Sequence, residues 1–129
     1  MSQAIVRSGH CLCGAVRSEA RGEPRFVSYC HGQSCRRATS APSVVWAGFQ
    51  DQDVTITGET LKHYASSPGV QRSFCGACGS PIAFRGERWA GETHIAVCAF
   101  DAPETLAPRS DYFENERLPW AALLGQPPD

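Results

Sequence analysis

Short stretches rich in β-branched, aromatic and small apolar residues alternate along this chain with clusters of glycine, proline, serine and acidic residues. Ala15 to Ala20 mixes apolar with polar positions as a half-buried strand does. Arg21-Gly22-Glu23-Pro24 reads as a turn, and Arg25 to Tyr29 resumes an extended pattern that delivers Cys30. Ser43 to Phe49 is dense in β-formers and predicts a central strand. Val54 to Thr57, Leu61 to Tyr64, Val70 to Phe74 and Pro81 to Phe84 follow as further strands, and Thr93 to Phe100 is the longest apolar run. A short helical turn is expected through Cys35 to Ala38. Strands at these regular intervals, with turn signals between them and no long helical period, predict a mainly antiparallel all-β domain. The tail beyond Asp101 carries Tyr112, Phe113 and Trp120, which are expected to pack over the sheets.

At 129 residues, the length predicts one domain spanning 1–129. With 42% hydrophobic and 19% charged residues the composition is that of a globular protein, and no apolar run approaches the ~20 residues of a membrane helix. The first residues lack the apolar segment and small-residue cleavage site of a secretory signal, so a cytoplasmic location is expected. A net charge of -1 and a pI near 6.4 leave no basic footprint for nucleic acid.

Seven cysteines change the picture, because in a reducing compartment they read as metal ligands or reactive thiols before disulfides. Cys75-Gly76-Ala77-Cys78 can aim two thiolates at one metal, and Cys11-Leu12-Cys13 puts two more on one face of an extended segment. Together they make a four-thiolate zinc site with no open position, which assigns it a structural role. The other dense patch is Cys30-His31-Gly32-Gln33-Ser34-Cys35-Arg36-Arg37, where two thiols, an imidazole and two guanidinium groups crowd one turn.

The stretches Gly9 to Val16, Cys30 to Pro42, Phe74 to Ser80 and, loosely, Leu118-Pro119-Trp120 resemble the glutathione-dependent formaldehyde-activating enzymes, whose relatives include centromere protein V. The resemblance implies a β-tent of two antiparallel sheets with a structural zinc on Cys11, Cys13, Cys75 and Cys78. It also implies a second, catalytic zinc held by a Cys-His-Cys-x-x-Cys pattern, with the open position taken by water or the glutathione thiol. The implied chemistry is formation and cleavage of S-hydroxymethylglutathione, a carbon-sulfur lyase reaction. Cys30 and Cys35 match the outer ligands of that pattern, but its middle cysteine is Gly32 here. His31 is the nearest replacement; in an extended backbone it points away from the side shared by Cys30 and position 32.

Three arrangements of this second site therefore stay open: a zinc on Cys30, Cys35 and a third group such as His31, a metal-free pair of thiols, or a zinc with other ligands. Cys30, Cys35 and His31 are the catalytic candidates. Arg36 and Arg37 are the candidates for lowering the Cys35 thiol pKa or receiving glutathione carboxylates. One zinc per chain is expected, with a glutathione-type thiol as partner. The alternative is a non-catalytic, zinc-stabilised β domain that binds a small ligand or a protein. Cys98 is expected in the core, His63 and His94 as structural histidines, His10 near the structural zinc, and Asp111, Glu114 and Glu116 as a solvated rim.

Overall fold

The structure is a computed structural model and describes residues 5–124. Its strands are β1 (Val6–His10), β2 (Arg17–Arg21), β3 (Phe26–Cys30), β4 (Val44–Gln50), β5 (Val54–Thr57), β6 (Leu61–Ser67), β7 (Val70–Cys75), β8 (Pro81–Gly86), β9 (Glu92–Ala96) and β10 (Ser110–Tyr112). The one α-helix among the described residues, α1 (Gln33–Thr39), joins β3 to β4. Two sheets result, a three-stranded one ordered β1-β2-β5 and a seven-stranded one ordered β10-β3-β4-β9-β8-β7-β6. Every pairing is antiparallel except that of β10 with β3, which sets Tyr112 opposite Cys30 in a parallel register.

Burial on both faces explains why β4 is apolar from Val44 to Phe49. Val45, Ala47 and Phe49 face a core that also holds Ala20 of β2, Val27, Ile95, Phe100 and Leu106. The alternate positions Val44 and Trp46 pack with Cys30, Cys35, Phe84 and Ala96 on the opposite face. A strand buried on both sides has no polar phase. β9 is split the same way, Ile95 facing the first core and His94 and Ala96 the second face. The large sheet thus rests one face on the small sheet and turns the other toward α1.

β9 is shorter than the apolar run predicts. Val97–Ala99 form a 3-10 turn closed by the Phe100 N–H on the Val97 carbonyl at 3.0 Å. The turn keeps Val97 and Phe100 buried and swings Cys98 outward, so Cys98 is exposed rather than a core residue. Trp120 is also exposed, at 62%, whereas Tyr112 and Phe113 are half-buried against the large sheet. No helix among the described residues is long and apolar enough to cross a membrane.

Candidate functional site: a four-cysteine centre and a thiol-floored cavity

The turn after β1 carries Cys11 and Cys13, while Cys75 ends β7 and the turn that follows carries Cys78. Each turn closes on a glycine in the left-handed region, Gly14 at φ 83° and Gly79 at φ 80°, a conformation that favours glycine. The four sulfurs lie within 4.8 Å of one another, with Cys11 to Cys13 at 3.6 Å and Cys13 to Cys75 at 3.8 Å. Zinc-sulfur bonds of ~2.3 Å in a tetrahedron put the sulfurs about 3.8 Å apart, so the donor set fits zinc.

Backbone N–H groups point at the ligands, Val16 to the Cys11 sulfur at 3.2 Å and Cys78 to the Cys75 sulfur at 3.5 Å. Hydroxyls complete the shell, Thr60 at 3.2 Å from the Cys75 sulfur and Ser80 at 3.1 Å from that of Cys78. The Ser80 hydroxyl, helped by backbone N–H groups, holds the Cys78 thiol down to about 5. Ser80 closes the Phe74 to Ser80 stretch, whereas Thr60 lies outside the cysteine motifs and only the fold brings it to the site. His10 bonds the Cys11 carbonyl through Nδ1 at 2.7 Å, beside the centre rather than in it.

The second face of the large sheet holds a cavity of about 270 Å³. Trp46, Phe84, Trp89 and Phe113 form aromatic walls, Cys30 and Cys35 lie at its floor, and Arg72 and Arg88 bring two cations. Cys30 ends β3, and α1 turns the chain so that Cys35, its one buried residue, comes back onto the same face. α1 has no side-chain cap of its own; Glu116 supplies one from the tail, accepting the Gln33 N–H at 2.9 Å. Phe113 sits in the left-handed region at φ 59° and presents its ring to Gly32. A bulky residue held there marks stored strain, here at a cavity wall.

Arg72 of β7 was not among the residues singled out from the sequence, and it reaches the site most directly. Its two terminal nitrogens lie 3.9 and 3.8 Å from the Cys35 sulfur, and its Nε donates to the Ser66 hydroxyl at 3.2 Å. The guanidinium also lies over the Phe84 ring, 5.0 Å from its centroid. The Trp46 indole N–H is buried without a formed hydrogen bond and lies close enough to the Cys35 sulfur to favour its thiolate. The Cys30 thiol contributes most, and with Arg72 it outweighs burial and brings Cys35 down to about 6, while Cys30 itself is pushed up by Cys35 and by burial.

The other predicted residues take different places. His31 is 1% exposed, lies outside the cavity, and bonds Asp111 of β10 through Nε2 at 2.8 Å. Arg36 and Arg37 sit on the last turn of α1 outside the cavity, Arg36 reaching the His31 carbonyl at 3.4 Å. Asp111 is a buried partner and so no part of a solvated rim, Glu116 is half-buried and caps α1 at the surface, and Glu114 is exposed. His63 bonds the Ser73 hydroxyl, and His94 bonds Glu92 while its ring stacks on Phe84 at the cavity wall.

The family model of the glutathione-dependent formaldehyde-activating enzyme matches residues 6–116. The chain belongs to this family. A Schizosaccharomyces pombe protein named an uncharacterized lyase is 36% identical over 76 residues, covering 59% of this chain. The chain spans 55% of the length of that relative. A crystal structure of a Rhodobacter sphaeroides protein shares the fold with a TM-score of 0.66 at 22% identity, over 81% of this chain and 98% of that one.

The second zinc of the family pattern fits these residues poorly. Among the described residues no third histidine, cysteine or carboxylate joins Cys30 and Cys35 in a cluster of metal-ligand size. Position 32 offers no side chain, His31 is engaged by Asp111, and a guanidinium already stands at the Cys35 sulfur.

Proposed function

We propose that this protein makes and breaks the carbon-sulfur bond of a thiol-aldehyde adduct, of which S-hydroxymethylglutathione is the type its family name suggests, in the Cys30–Cys35 cavity. The observation that carries this reading is an aromatic-walled cavity with two cysteines at its floor and two arginines on its lining. Its volume lies just below the ~300–1,000 Å³ of small-molecule pockets. It suits the reacting end of an adduct, with the rest of a peptide thiol lying across the mouth. Arg88 flanks that mouth, its guanidinium 5.2 Å from the Trp89 ring centroid and 5.5 Å from that of Phe113. It forms no ion pair among the described residues and is a receptor for a carboxylate of the thiol. The four-cysteine centre is closed and takes no part in the reaction.

Mixing glutathione with formaldehyde and following S-hydroxymethylglutathione by proton NMR tests the reading. Equilibration above the spontaneous rate is expected. A rate equal to the uncatalysed one would sink it. Gly32 favours a second reading, a zinc-stabilised module that binds a thiol ligand without turning it over. Its signature is a melting shift with glutathione and no rate above background.

A further inference from the structure

We propose that Cys35 is itself the nucleophile of this cavity, with the Arg72 guanidinium filling the place of a second zinc, and that its ligands are small carbonyl electrophiles. The inference rests on the proposed lyase reading only for the carbonyl class.

Arg72 is half-buried and belongs to none of the ion pairs among the described residues. A guanidinium keeps its charge at any physiological pH, and a cation taken out of water needs an anion close by. Ser66 occupies Nε, which leaves the terminal nitrogens for the sulfur of Cys35 at 3.9 and 3.8 Å. The same cation repels a divalent metal from that sulfur. Gly32 has removed the thiolate that would offset the repulsion, and neighbouring His31 is turned into its bond with Asp111. Two sulfurs beside a fixed positive charge form a poor zinc site and a good thiolate site.

The step balances without an oxidant or reductant. The Cys35 sulfur lone pair forms a bond to the carbonyl carbon, the carbonyl π pair moves to oxygen, and that oxygen takes a proton from water. The product is a hemithioacetal. The reverse sequence returns the proton, breaks the carbon-sulfur bond, and restores the thiolate beside Arg72. Trp46 and Phe84 at the cavity wall limit water around the adduct.

The test uses the full zinc-loaded chain, iodoacetamide as the electrophile, peptide mapping to assign labelled cysteines, and metal analysis. At pH 7, Cys35 is expected to label about tenfold or more faster than exposed Cys98, and Arg72→Met to remove about a tenfold part of that rate. Arg72→Lys should keep more of it than Arg72→Met. Zinc should stand at one per chain both in the parent and in Cys35→Ser. Melting temperature and zinc content check the fold of Arg72→Met, and Arg72→Gln carries the same comparison if that variant melts early.

Four results would overturn the proposal: two zincs per chain with one lost in Cys35→Ser, Cys35 labelling no faster than Cys98, a rate indifferent to Arg72 in folded variants, or glutathione-adduct turnover undiminished in Cys35→Ser. Rapid labelling of Cys35 without turnover of the glutathione adduct would remove the lyase reading, and the carbonyl class with it, and leave the Arg72-held nucleophile standing. Turnover undiminished in Cys35→Ser would do the reverse.

Discussion

At position 32 a missing side chain decides what the cavity can hold. A Cβ built on Gly32 falls 3.5 Å from the Cys30 sulfur and 3.5 Å from the Phe113 ring, both ordinary contacts. Its backbone, at φ -59° and ψ 142°, suits any residue. Gly32→Cys is therefore expected to fold and to restore a three-thiolate set, raising the zinc content from one per chain to two. Adding Arg72→Met should tighten the second zinc further, because the cation facing it is gone; weaker binding in the double variant would contradict the electrostatic argument. Cys35 gives a pH dependence with a definite sign. Its thiol is held near 6 by the Cys30 thiol first and Arg72 next, so alkylation should reach half its plateau near pH 6. A depressed pKa means that the folded state binds fewer protons. The stability it contributes is present above the unfolded thiol value of ~8.5 and is lost as pH falls through about 6. Cys30 is shifted upward, so it opposes folding only above that unfolded value. Urea unfolding from pH 6 to 8.5 should show stability rising in the parent and a flatter profile in Cys35→Ser.

Among the elements, β10 is only three residues long, yet it fixes the edge of the sheet beside the cavity. Asp111 accepts from His31 at 2.8 Å and, through its other oxygen, from the Leu124 N–H at 2.9 Å. The two side chains are 1% and 8% exposed, so neither can turn to water when its partner is lost. Asp111→Ala should cost about 2–3 kcal/mol in urea unfolding, and Asp111→Asn clearly less; equal losses would mean that the pair acts by shape alone. This pair is not legible in the sequence, because the acids of an aromatic tail look solvated until a parallel strand pairing sets β10 beside β3. The strands from β2 to β9 were legible from their β-forming residues and the turns between them, β4 and β7 almost to their ends, whereas β1 and β10 were not. Cys98 was misplaced because an apolar run does not reveal that its strand stops at Ala96 and turns. Arg72 left a faint signal: it shares the strand phase of Val70, and both line the cavity. A charge at an apolar phase is a flag for a site. By contrast, Arg36 and Arg37 follow Cys35 directly in sequence, and α1 carries them away from the cavity.

For the molecule as a whole, the four-cysteine centre ties the turn of the small sheet to the end of β7 in the large one. Cys13 and Cys75, 62 residues apart in sequence, meet there at 3.8 Å. A cross-link closing a loop of that size is worth roughly 4 kcal/mol of unfolded-state entropy by analogy with disulfides. Zinc binding adds to this, because the four sulfurs converge only in the folded chain. The centre is also packed, Cys11 and Cys75 being buried with Val16, Ile82 and Ala83, so losing the metal strands thiols inside a core. Chelation should therefore lower the melting temperature by about 10 °C or more, and Cys75→Ser should match it more closely than Cys78→Ser, since Cys75 is fully buried and Cys78 is not. The effect should extend beyond stability, because Arg72 lies three residues before Cys75 on the strand whose end the metal holds. In chelated protein kept below its melting point, rapid labelling of Cys35 should slow toward that of Cys98 as Arg72 loses its fixed position. A metal-free chain that melts normally and still labels Cys35 quickly would show that the sheets align β7 without help from the zinc.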